Sequence, residues 1–157
     1  MATLTSTITE SISLNGADRG STNTLSIASV TEVFHRIVTC PSAADTTIAT
    51  FQAAVNTSDN ALDLDNVKYI RITNLGGVSV NLSLQTSVDE DGAADASATI
   101  LLAAGRSFIM GTPHDAFVVD DDADPAVLTT AALADLESLL IDGHASTDCS
   151  VEVFIAS

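Results

Sequence analysis

Residues 3–14 read Thr-Leu-Thr-Ser-Thr-Ile-Thr-Glu-Ser-Ile-Ser-Leu, with Leu4, Ile8, Ile12 and Leu14 at even positions and Thr3, Thr5, Thr7, Thr9, Ser11 and Ser13 at odd ones. Successive side chains of an extended chain point to opposite faces. A twofold repeat of this length therefore predicts a β-strand with one buried apolar face and one solvated hydroxyl face. Asn15-Gly16, with Gly20 shortly after, predicts a turn at its end, since glycine tolerates positive φ.

The same alternation recurs outward from this stretch. Residues 24–30 continue it, and in residues 31–40 Phe34, Arg36, Val38 and Cys40 share one side while Val33, His35 and Ile37 share the other. Pro41 closes that run, because proline cannot donate to a ladder. Thr46 to Val55 is β-branched around Ile48 and Phe51 and reads as a strand. Val67, Tyr69, Arg71 and Thr73 alternate with Lys68, Ile70 and Ile72. After Asn74-Leu75-Gly76-Gly77, the apolar set Val78, Val80, Leu82 and Leu84 alternates with Ser79, Asn81, Ser83 and Gln85. A short glycine-containing loop between alternating runs predicts a hairpin. Strands are further expected at 99–103, at Arg106 to Met110 between Gly105 and Gly111, and at Ala116 to Val119. Residues 126–134 read as a loop or helical turn, followed by strands from Leu136 to Ile141 and through Val151, Val153 and Ile155. Eight or more strands at intervals of about ten residues predict an all-β antiparallel β-sandwich of the jelly-roll kind.

The 157 residues carry no Pro-rich linker and no repeat, so a single domain spanning 1–157 is expected, large enough for its own core. Charge excludes several partners. The chain holds 21 acids against 5 bases, a net charge of −16, and Arg19, Arg36, Lys68, Arg71 and Arg106 are scattered. A groove for phosphates needs clustered Lys and Arg, so neither direct nucleic-acid binding nor attraction to anionic lipid is expected. The start, Met-Ala-Thr-Leu-Thr-Ser-Thr-Ile, lacks the basic and apolar regions of a signal peptide, and no run approaches the roughly 20 apolar residues of a membrane helix. Cys40 and Cys149 lack metal spacing. They either face each other across the sandwich or are small buried hydrophobes, and a reducing cytoplasm favours two unpaired thiols.

Chemistry is sparse. Asp120, Asp122 and Asp124 alternate like the first ligands of a calcium loop, whose hard cation prefers carboxylates. Pro125 stands where that loop needs Gly and Ala131 where it needs a bidentate Glu, so a solvated acidic loop competes with a calcium site. Asp89, Glu90 and Asp91 read as a solvated loop also. His114-Asp115 has the composition of a metal or general-base pair, but His35 and His144 are far away, which favours a surface dipeptide at a strand edge. Gly105-Arg106-Ser107 begins like a nucleophile elbow, yet Ile109 replaces the closing Gly, so it reads as a turn entering a strand. Asp63 and Asp65 could pair as acid and base, or serve as turn and edge residues. Asn56-Thr57-Ser58 and Asn81-Leu82-Ser83 match glycosylation sequons that a chain without a leader would not use. With no Trp and one Tyr, the aromatic platform of many sugar-binding sandwiches is missing, and no catalytic constellation is found.

The segment Val67-Lys-Tyr-Ile-Arg-Ile-Thr-Asn-Leu-Gly-Gly resembles one found in small structural virion proteins of tailed phages, marine ones in particular. In that family a Leu-rich strand, a Gly turn and Ser-Phe follow some thirty residues on, as in Ile100-Leu-Leu-Ala-Ala-Gly-Arg-Ser-Phe-Ile. Leu136-Glu-Ser-Leu-Leu-Ile and Val151-Glu-Val-Phe-Ile-Ala-Ser are similar too, so the likeness runs over residues 30–157. The family's usual Pro before the Gly turn is Ala104 here. The resemblance implies a non-enzymatic subunit, folded in the host cytoplasm and assembled into the virion. Its expected partners are copies of itself, as a closed homo-oligomer such as a trimer, and a major capsid or other virion protein. It implies capsid decoration or cementing first, and a tail or head-fibre component second. A carbohydrate-binding module is the rival class, and a hydrolase centred on His114 or on Asp63 and Asp65 comes third.

Overall fold

The computed structural model describes residues 1–55, 61–87, 96–119 and 133–157. Among them, strands β1 (Ala2–Glu10), β2 (Ser13–Leu14), β3 (Ala17–Asp18) and β4 (Ser21–Val30) precede β5 (Val33–Cys40), β6 (Asp45–Gln52) and β7 (Leu62–Asp63). After one 3-10 turn at Leu64–Asn66 come β8 (Tyr69–Asn74), β9 (Val80–Ser87), β10 (Ala96–Leu102), β11 (Ser107–Met110), β12 (Asp135–Asp142) and β13 (Cys149–Ala156). The chain is all-β. Two sheets make its body, one ordered β10-β9-β12-β6-β7 and the other β11-β8-β13-β5. Every pairing is antiparallel except the two-residue contact of β6 with β7.

The twofold alternation builds the core. Ile70, Ile72, Val151, Val153 and Ile155 point inward from the four-stranded sheet, and Ile48, Phe51, Leu82, Leu84, Leu136, Leu139 and Ile141 from the five-stranded one. Each aliphatic side chain so buried contributes about 1.5–3 kcal/mol by leaving water. Two buried polar side chains, Asn74 and Thr86, are found among the described residues. Asn74 donates through Nδ2 to the carbonyls of Val78 (2.8 Å) and Leu102 (2.9 Å), and its Oδ1 accepts from the Gly76 amide (2.9 Å). Its amide thereby joins two loops at one end of the sandwich.

The expected hairpin across Asn74-Leu75-Gly76-Gly77 is not formed. β8 pairs with β11 and β13, whereas β9 pairs with β10 and β12, so these four residues arch from one sheet to the other. Alternation is the same for a hairpin and for an arch, and the asparagine side chain fastening Val78 to Leu102 settles the arch. Ala116 to Val119 makes a single bridge, Phe117 with Ala134, in place of a strand.

The first strand differs as well. β1 pairs only with β4, in register from Leu4–Ile27 to Glu10–Ser21, and this two-stranded hairpin stands outside both body sheets. Its faces are those expected: Leu4, Ile8, Leu25 and Ile27 lie on one side, while Thr7 and Thr24 hydroxyls meet at 3.3 Å on the other. The apolar side is buried only at its base. Leu4 and Ile27 pack on Val30, Tyr69 and Ala156, but Ile8 and Leu25 are 51% and 52% exposed. At the tip Asn15 and Gly16 take the positive φ of 52° and 76° that a tight turn between β2 and β3 requires.

Candidate functional site

Outward positions of the four-stranded sheet collect the only ion-pair network found among the described residues that links three strands. His35 on β5, Glu152 on β13 and Arg71 on β8 are each on the outer face. The Glu152 carboxylate meets His35 Nε2 at 2.8 Å and Arg71 Nη1 at 2.7 Å. Arg71 also donates to the Thr73 hydroxyl (2.6 Å), itself 2.8 Å from that of Ser107 on β11. Hydrogen bonds from His35 first, and Arg71 second, hold the Glu152 carboxyl below the usual carboxylate range. A carboxylate so stabilised is a poor base. Beside it Phe154 takes the Arg71 guanidinium over its ring at 5.8 Å and stands edge-on to Tyr69.

This face continues under the hairpin. Between them lies an open groove of about 360 Å³, lined by Leu4, Ser6, Ile8, Tyr69, Ile109 and Phe154, in which the Ser6 and Tyr69 hydroxyls meet at 3.3 Å. The outer face of the five-stranded sheet is different, carrying Asn81, Ser83, Gln85 and Thr99 around one exposed leucine, Leu101. Of the two faces, the one beneath the hairpin is the apolar, charge-balanced one.

A second cluster joins residues distant in sequence. The turn at His114-Asp115 is zipped to the start of β12 by backbone bonds from Ala116 to Ala134 and from Leu136 to Pro113, both 2.9 Å. His114 Nδ1 lies 3.1 Å from an Asp115 carboxylate oxygen, and the Asp135 carboxylate accepts from the Asp115 amide at 2.8 Å. The ligand atoms of His114, Asp115 and Asp135 fall within 4.8 Å of one another. The dipeptide is exposed, as expected, and Asp135 is the member that sequence spacing did not suggest. The short contacts account for this cluster as a polar clasp on an exposed turn.

Other anticipated sites resolve as structure. Asp63 accepts from the Asp65 amide (3.2 Å) and from Asn66 Nδ2 (2.7 Å), so it caps the 3-10 turn and leaves no facing pair of acids. Gly105 turns the chain at φ 69° and Ser107 opens β11, with its hydroxyl spent on Thr73. Asn81 lies within β9 and donates to Asp142 at 3.0 Å. Cys40 and Cys149 are buried thiols directly opposite each other on neighbouring strands of one sheet, and so do not face across the sandwich. Burial, and then the neighbouring Cys149, push the Cys40 thiol up to about 11; burial raises Cys149 too, so neither supplies a nucleophile at neutral pH. The calcium candidates Asp120, Asp122 and Asp124, with Asp89, Glu90, Asp91 and the Asn56 sequon, lie outside the described residues. Among the described residues no helix is long and apolar enough to cross a membrane.

The three-strand network and the clasp escaped sequence reasoning for one reason. His35, Arg71 and Glu152 each occupy an outward position that alternation predicts, but their meeting depends on strand order. Comparison of the chain with protein-family models, with curated proteins and with solved structures finds no match.

Proposed function

We propose that this chain is a non-enzymatic structural subunit of a virion, a decoration or cement protein on the capsid exterior of a tailed phage that works as a closed homo-oligomer such as a trimer. The observation that carries the reading is the N-terminal hairpin. A two-stranded hairpin is at best marginally stable alone in water, yet this one holds Ile8, Ile12, Leu14 and Leu25 half exposed, at 51%, 54%, 56% and 52%. A segment patterned for cover and left uncovered by its own body suits a protein that works assembled.

The body supports the same reading. With β5, β6 and β8 to β13 counted one to eight, the sheets run 1-8-3-6 and 2-7-4-5. Consecutive strands thus change sheet at every step but one, the β9–β10 hairpin, which we read as a jelly roll, an architecture that serves capsid proteins and lectins alike. The lectin use finds less support, because Tyr69 is buried and Phe34, Phe108, Phe117 and Phe154 are only partly exposed. Thiols held protonated and a Glu152 locked in ion pairs likewise favour a structural role over a hydrolytic one. Neither sheet face offers the basic stripe that nucleic acid needs.

Imaging of intact virions tests the proposal. The expected result is density on the capsid exterior that accepts the eight-stranded body, with the chain found in purified particles by mass spectrometry. Its recovery only from the soluble fraction of the lysate, with none in particles, would overturn it.

A further inference from the structure

The hairpin and the groove beneath it fit one another, but not within one copy. The groove runs along β1 from Leu4 to Ile8 and is floored by Tyr69, Ile109 and Phe154. Beyond Ile8 the chain continues through Ile12 to Leu14, at most about 20 Å further at ~3.3 Å per residue. The β1–β4 pairing ends at Glu10 and β2 pairs with β3 only at Ser13 and Leu14, and neither Ile12 nor Leu14, both more than half exposed, lines that groove. A copy's own tip therefore leaves its own groove unfilled.

Charge favours a second copy as the occupant. Residues 1–30 carry only Glu10, Asp18 and Arg19 of the chain's 21 acids and 5 bases, so nearly all of the −16 is carried by residues 31–157. The floor of the groove is balanced too, since Arg71 and His35 meet Glu152. Hairpin and groove are thus surfaces on which two such acidic chains can meet without strong like-charge repulsion. We propose that the hairpin tip of one copy, through Ile12 and Leu14, seats in the groove between hairpin and four-stranded sheet of the next. This is a head-to-tail contact, which closes into a ring when the rotation between copies allows. The inference rests on the homo-oligomer reading above and names the surfaces that make it.

Light scattering after size-exclusion chromatography of the full chain in high salt tests it with three proteins. They are the wild type, a tip variant with Ile12→Ser and Leu14→Ser, and a groove variant with Ile8→Lys and Ile109→Lys. All four positions are at least 42% exposed, so the body should keep its fold, which far-UV circular dichroism checks. If the double tip variant loses its β signal, Ile12→Ser alone takes its place. The expected result is a wild-type oligomer, two monomeric variants, and a two-copy species when the variants are mixed, because one intact tip then meets one intact groove. A tip variant with the wild-type mass, or a mixture that stays monomeric, overturns the seating and leaves the homo-oligomer standing. A wild type that is monomeric throughout overturns both.

Discussion

Asn74 shows how much of this sandwich hangs on single polar atoms. Its amide makes three hydrogen bonds in a place with no solvent access, to Val78, Leu102 and Gly76. Asn74→Ala should cost about 2–3 kcal/mol, since two carbonyls lose their donor without gaining water. Ser83→Ala, on the outer face of β9, should stay within about 0.5 kcal/mol. Urea midpoints compare the two, and equal midpoints would contradict the account of the arch. Glu152 makes a pH-dependent contribution. Its carboxyl is held below the ordinary carboxylate value of about 4.5, so the network adds stability above that pH and loses it as the pH falls through the lowered value. Glu152→Gln should flatten the decline in urea midpoint below pH 4.5, while costing about 1 kcal/mol or less at neutral pH, where the pairs are partly solvated. A decline as steep as that of the wild type would show that the network does not govern it.

At the scale of elements, the loops after β5 and after β12 are tied to each other. The Ala43 amide donates to the His144 carbonyl (3.1 Å), the Gly143 amide to that of Ala44 (3.3 Å), and the Ser42 amide to the Asp148 carboxylate (2.8 Å). A Cβ at Gly143 would stand 2.5 Å from the Pro41 carbonyl oxygen, whereas one at Gly77 would meet nothing within 4 Å. Gly143→Ala should therefore cost about 1–3 kcal/mol by forcing these loops apart. Gly77→Ala should leave the thermal midpoint unchanged or slightly higher, because it restricts the unfolded chain. Matched midpoints for the two variants would refute the packing argument. The elements themselves were legible in advance: β5 ends at Cys40 before Pro41, β6 covers Ile48 and Phe51, and β12 and β13 carry Leu136 to Ile141 and Val151 to Ile155. Their partners were not. A loop such as Asn74 to Gly77 has the same local chemistry whether it returns beside its own strand or crosses to the facing sheet.

For the whole molecule, a charge of −16 on 157 residues opposes compaction and association alike. Salt shortens the reach of that repulsion, to about 10 Å at 0.1 M. Raising sodium chloride from low salt to about 0.5 M, a range over which screening strengthens steadily, should therefore raise the thermal midpoint by several degrees. A falling midpoint would mean that attractive ion pairs, such as Glu152 with Arg71, outweigh the repulsion.

The alternation of apolar and hydroxyl residues was enough by itself to determine an all-β chain, the two faces of each strand and most strand ends, because a strand's twofold repeat is a local property. Composition by itself set the acidity and the scarcity of reactive groups. Only the tertiary structure decided which faces are covered. It sent β8 and β9 to different sheets, set Cys40 beside Cys149, gathered His35, Arg71 and Glu152, and left the patterned stretch of residues 3–14 uncovered beyond Leu4. Burial and strand order depend on contacts between residues far apart in the chain, and a periodicity states which side a residue takes without stating what lies there.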